Sequence, residues 1–176
     1  TYDSVTVNAD LVGDGQTLTV TGTEALTITS KEGNLDLNAY AGAVTSTVLN
    51  SSAVSLKAGK KANAITAQGS ANGVALTVDA ATTEAASLIT FNDGGSVDGD
   101  IKVTGVVSDV DFVNTFKGKG DVSVTTGTAV GKTIDFGTST TYDSVTVNAD
   151  LVTDGQTLTV TGTEALTTTS KEGNLD

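Results

Sequence analysis

The sequence predicts an all-β fold, a β-solenoid of short strands, and three observations carry that reading. Apolar–polar–apolar triplets start about every 8 to 13 residues, the spacing of many-stranded sandwiches, barrels and β-helices. Gly, Asn, Asp, Ser and Thr, which favour turns, separate them. The text of residues 1–36 returns, almost unchanged, as residues 141–176.

In chain order the triplets are Val5-Thr6-Val7, Leu18-Thr19-Val20, Leu26-Thr27-Ile28, Leu35-Asp36-Leu37, Val54-Ser55-Leu56 and Leu76-Thr77-Val78. Ile89-Thr90-Phe91, Ile101-Lys102-Val103, Val110-Asp111-Phe112, Val122-Ser123-Val124 and Ile134-Asp135-Phe136 continue the series. Side chains alternate across a strand, so each triplet turns two apolar groups to one face and a polar group to water. Each is expected to be a half-buried strand. One segment, Asp79 to Ser87, is rich enough in Ala and Glu to be a helix candidate.

A solenoid is preferred to tandem β-sandwich domains on strand density and residue size. About a dozen strands between positions 1 and 140 is dense against the roughly seven strands per 100 residues of a sandwich. The 3 Tyr and 4 Phe give few large anchors, and there is no Trp. Small β-branched interiors suit stacked coils of narrow cross-section, with Thr, Asn and Gly at the corners. There is no Pro to block a strand edge, but a solenoid has few edges to protect along its length.

Residues 141–176 repeat residues 1–36 at 34 of 36 positions. Residues 1–140 are therefore expected to be one full β-rich unit and 141–176 the start of a second, within a longer tandem array. A unit of this length allows either globular beads or a solenoid with a superperiod equal to the unit. The two exceptions are Gly13 against Thr153 and Ile28 against Thr168. Thr keeps the strand preference of Ile but buries a hydroxyl at a cost of about 1–3 kcal/mol without a partner, so this position is read as peripheral.

Composition narrows the chemistry. With no His and no Cys there is no Ser-His-Asp or Cys-His triad, no thiolate nucleophile, and no Cys or His ligand for zinc, haem or iron–sulfur clusters. An enzyme is not expected. The net charge is −12, and all nine basic residues are Lys, which argues against nucleic acid and against an anionic membrane surface. No apolar run approaches the roughly 20 residues of a membrane-spanning helix, so membrane insertion is not expected.

Calcium is the one cofactor the residues suggest. Asn92 to Asp100 places Asp93, Asp98 and Asp100 with an amide oxygen in one short stretch, and calcium takes about 6–8 hard oxygen ligands. The same stretch also reads as a turn built on Asp and Gly. Asp109 and Asp111 are a possible neighbouring pair, or the solvent side of a strand. Asp14-Gly15 and Asp154-Gly155 read as hairpin or corner turns. A glycosidase needs two acids about 5–9.5 Å apart, and nothing in the sequence selects a pair. Asn50-Ser51-Ser52 is a glycosylation sequon by pattern. The basic cluster Lys57-Ala-Gly-Lys60-Lys61 is a candidate to meet acids of a neighbouring copy, or a solvated loop.

The run from Thr17 to Ser30, the later Lys61-Ala-Asn-Ala-Ile-Thr-Ala-Gln-Gly69, and the acidic Thr/Ala/Gly/Asp-rich composition without Cys together resemble bacterial surface-layer proteins and large repetitive adhesins. The resemblance implies an extracellular, β-rich array without disulfides, often ordered by calcium. The nonapeptide calcium repeat of many such proteins is absent; Gly94 to Ile101 lacks its third Gly in register. A structural repeat of a surface layer or filament is thus expected at the bacterial cell surface or outside the cell. It would associate with copies of itself and with cell-envelope polysaccharide. The alternative is a stalk or spacer of an adhesin that displays a binding domain elsewhere.

Overall fold

The computed structural model describes the chain apart from residues 1, 10–12, 14, 31–32, 50–53, 69–75, 94–95, 98, 114–115, 129–130, 139–140, 150–151, 153–155 and 172. For residues 48–49, 54, 67–68, 93, 96–97 and 117 it describes the backbone alone. The first strands are β1 (Ser4–Asn8), β2 (Thr17–Thr19), β3 (Ala25–Ser30), β4 (Asn34–Asp36), β5 (Val44–Leu49), β6 (Val54–Lys57) and β7 (Asn63–Gln68). Next come β8 (Leu76–Asp79), β9 (Leu88–Asp93), β10 (Ser96–Val97), β11 (Ile101–Val106), β12 (Asp109–Phe112) and β13 (Lys117–Gly118). The series closes with β14 (Asp121–Thr126), β15 (Lys132–Asp135), β16 (Ser144–Asn148), β17 (Thr157–Thr161), β18 (Leu166–Thr169) and β19 (Asn174–Leu175).

Apart from β10 and β13, which pair with each other, successive strands alternate between two parallel sheets. One has the order β1-β3-β5-β7-β9-β12-β15-β17-β19, the other β18-β16-β14-β11-β8-β6-β4-β2. A chain that visits two faces in turn and stacks each strand parallel on the one before is a β-solenoid. Coil length varies: Thr17 is partnered one coil later by Asn34, whereas the longer coil that starts at Asn63 comes back into register only at Ile89. All eleven triplets lie at or within one position of these strands.

The inward residues form ladders between the sheets. Leu18, Leu35, Leu56, Val78, Val103, Val124, Val147 and Thr168 are successive register partners in one sheet. Val7, Ile28, Ser46, Ile65, Phe91 and Phe112 are partners in the other. Phe91 stacks on Phe112 with centroids 4.4 Å apart, and Phe112 on Phe136 at 5.3 Å. Phe116 and Tyr142 meet Phe112 edge-on, so the four Phe and Tyr142 are gathered into one interior cluster. Asn63, buried in a ladder between Val44 and Ile89, is satisfied: its Nδ2 donates to the carbonyls of Gly59 and Lys61, and its Oδ1 accepts from the Gly59 N–H. It thereby fixes the corner beside it.

The all-β expectation holds, and one other expectation is corrected. Among the described residues there is no helix, and residues 80–87 are a corner of turns. That segment is bound to the coil before it. Thr82 and Thr83 hydroxyls donate to the carbonyls of Ala58 and Gly59, and the Glu84 N–H donates to the Lys60 carbonyl. Bonds to a neighbouring coil take the place of helical ones. Nor is the position of Ile28 peripheral: Ile28 is fully buried, with Val7 on one side and Ser46 on the other. Its counterpart Thr168, partnered in β18 by Val147, is exposed.

The repeat boundary after position 140 interrupts nothing, since β14 pairs with β16, and β15 with β17, across it. The phase of the repeat is less expected. The segment SVTVN forms β1 in the nine-stranded sheet and β16 in the eight-stranded sheet. The pairs β2 and β17, β3 and β18, and β4 and β19 exchange sheets in the same way. Thirteen changes of face separate β1 from β16, two to a coil, so one period of the repeat spans six and a half coils. Identical text therefore faces opposite directions.

Candidate functional site

The alternation that buries the ladders above leaves the middle residues of the triplets outside, where the parallel register aligns them. On the nine-stranded sheet Thr6, Thr27, Thr45, Ala64 and Thr90 form one outward ladder across β1, β3, β5, β7 and β9. Asn8, Thr29, Thr47, Thr66 and Asn92 form a second beside it. Rungs repeat about every 4.7–4.9 Å, the separation of paired strands. Thr6, Thr27 and Thr45 are exposed, and the ten positions carry no charge in a chain of net charge −12. Sequence reading placed the triplet Thr residues in water but missed this array, because which Thr meets which depends on coil length.

Charge returns farther along the same sheet. The first ladder continues from Thr90 through Asp111 and Asp135 to Thr161. Asp109 accepts a hydrogen bond from the Thr133 N–H at 2.9 Å and lies 3.8 Å from the Lys132 ammonium. Burial, and secondarily the neighbouring Asp135 carboxylate, hold the Asp111 carboxyl above its usual range. Its proton is thus bound more tightly in the folded than in the unfolded chain, so ionisation costs stability at neutral pH, and the cost disappears as pH falls below the unfolded value. Asp111→Asn is expected to raise stability at pH 7 by about 0.3–1 kcal/mol, less in high salt, and to leave it unchanged at pH 3. Melting curves at the two pH values check this; an equal gain at both would assign the effect to packing.

The other sheet presents a different outer face. Thr19, Asp36, Lys57, Asp79 and Thr104 are successive partners, and Lys57 reaches Asp36 at 3.0 Å. The hydrogen bond from Lys57 is the main cause that lowers the Asp36 carboxyl below its usual range. Lys61 pairs with Glu84. Lys57 and Lys61 of the basic cluster thus meet acids of their own chain on adjacent coils.

Of the calcium candidates, Asp93 ends β9 in register with Ala67, Asp98 lies outside the described residues, and Asp100 is exposed. Asp100 accepts a hydrogen bond from the Asp121 N–H at 3.1 Å, which ties its corner to the next coil. Among the described residues no group of three or more acids is arranged to hold a metal ion. Gly15 has a φ of 71° and sits in a corner, not a hairpin, because its flanking strands join different sheets. Asp154-Gly155 and the Asn50 sequon lie outside the described residues. A pocket near the C-terminal coil is lined by Phe136, Val145, Val160 and Leu166, with Glu164 at its polar side. No protein-family model, curated protein or solved structure matches this chain.

Proposed function

We propose that the chain is a structural repeat of an extracellular surface layer or filament that assembles into an ordered array. The observation that carries this reading is the half-coil phase. A rod whose period is six and a half coils presents each repeat-borne surface alternately on its two sides. Any contact one repeat makes on one side, the next can make on the other, and a contact of this kind that does not close produces an extended array. Uniform spacing along a continuous rod turns weak contacts into strong ones. The composition accords with work outside the cell, where a chain without Cys or Met has little to oxidise. The like charge of neighbouring copies has to be screened or bridged, and calcium held by Asp93, Asp98 and Asp100 is the proposed bridge.

Negative-stain microscopy and light scattering of a chain of two full repeats test the reading. Ordered sheets or bundled filaments in millimolar calcium are expected, loosening on addition of a chelator. Isolated rods at every concentration would favour the adhesin stalk, which needs only end-to-end continuity. Assembly indifferent to the chelator would keep the array and remove the calcium.

A further inference from the structure

We propose that the uncharged threonine face of β1, β3, β5, β7 and β9 is the surface through which two copies of this chain associate, each copy offering the same face. The inference rests on the array reading and names the contact that would build it. The two Thr ladders make a regular patch of short side chains without a charge on it. The opposite sheet carries Asp36, Lys57, Asp79 and Lys102 outward, and the same sheet beyond β9 carries Asp111 and Asp135. In a chain of net charge −12, approach through any of those regions sets like charges or fixed ion pairs against each other. Approach through the Thr face does not. Two such faces can pack as stacked sheets do, about 10 Å apart, with small β-branched side chains interdigitating.

Size and phase decide what the contact can do. Five strands about 4.8 Å apart, each offering a stretch of roughly 13 Å, give a patch of roughly 300 Å² per copy, well under the roughly 800 Å² per partner of a standard stable interface. One face alone therefore holds weakly. The half-coil phase multiplies it. Thr146 and Thr167, the counterparts of Thr6 and Thr27, are outward partners on the opposite sheet, where they open the second such face. Each rod thus carries the contact on both sides, which is what a layer requires.

The test is sedimentation equilibrium of the full chain from micromolar to millimolar concentration, with Thr27→Glu/Thr45→Glu on the face and Thr77→Glu, beside Lys102 on the opposite sheet, as control. Circular dichroism and melting verify that each variant folds. Weak dimerisation of the parent chain is expected, with at least a tenfold loss in T27E/T45E and none in T77E. Thr27→Lys/Thr45→Lys should also be monomeric alone and should pair with T27E/T45E on mixing, a rescue that a folding defect would not give. Undiminished association of T27E/T45E overturns the proposal while leaving the array reading in place. A parent chain monomeric throughout overturns the proposal, while the array reading stands or falls with the chain of two full repeats. Retention of a monomeric chain on ice or crystalline polysaccharide would assign the face to an external lattice instead, and overturns it too.

Discussion

Replacing Phe112 with alanine is expected to lower stability by about 3–5 kcal/mol, the range for large buried aromatics. Phe112 is fully buried in the interior between the sheets. It stacks on Phe91 at 4.4 Å and Phe136 at 5.3 Å, and meets Phe116 and Tyr142 edge-on at 5.5 and 6.4 Å. Such aromatic pairs add roughly 0.5–1.5 kcal/mol beyond the area they bury, which places the loss in the upper part of the range. The neighbours come from different coils, and each is fixed by its own strand or corner, so the hole cannot close by moving one side chain. Phe112→Leu, which keeps most of the volume, should cost less than half as much. Urea unfolding measures both. A loss below about 1 kcal/mol for F112A would mean that the rings do not share one interior.

Ile28→Thr is expected to cost about 2–4 kcal/mol, whereas Thr168→Ile should change stability by no more than about 0.5 kcal/mol. The substitutions exchange the same two residues at equivalent points of the repeat. Ile28 is fully buried between Val7 and Ser46, and the Ser46 hydroxyl already lacks a hydrogen-bond partner. A threonine there removes apolar volume and adds a second unpaired hydroxyl in the same dry ladder. Thr168, on β18, is solvated. Thermal melts of the two variants check the asymmetry, and equal effects would mean that the two copies share one environment.

Strands whose inward positions are all apolar were legible from the sequence, because two apolar groups flanking a polar one mark a half-buried strand. β5 and β7 were not. Their inward residues include Ser46 and Asn63, and a polar residue at a core position erases the triplet pattern. Asn63 is tolerated there because three hydrogen bonds satisfy its amide, a fact of the adjacent corner and not of its neighbours in sequence. In the Asp79–Ser87 segment local propensity for a helix yields to bonds with the coil beside it. The period of the repeat was plain, but its phase was not. Coils of unequal length, such as those that close from Thr17 to Asn34 and from Asn63 to Ile89, give no fixed divisor. Whether one period ends on the same face or the opposite one therefore depends on every corner between. For the same reason Asp100 could be read as a turn residue, while its bond to Asp121 on the next coil could not.

The half-coil phase is tested most directly by spin labels, which attach cleanly to introduced cysteines because the chain has none of its own. Thr146 and Lys102 are joined in register through Ser123, so labels at 102 and 146 should lie about 10 Å apart, two strand spacings, and broaden each other strongly. Labels at 111 and 146 stand on opposite sheets and should lie beyond about 20 Å, since the distance between packed sheets and the outward reach of both labels add to the two strand spacings. The phase predicts strong broadening for the first pair and none for the second. Broadening of the 111/146 pair with a sharp spectrum for 102/146 would return the second copy to the face of the first and contradict the account.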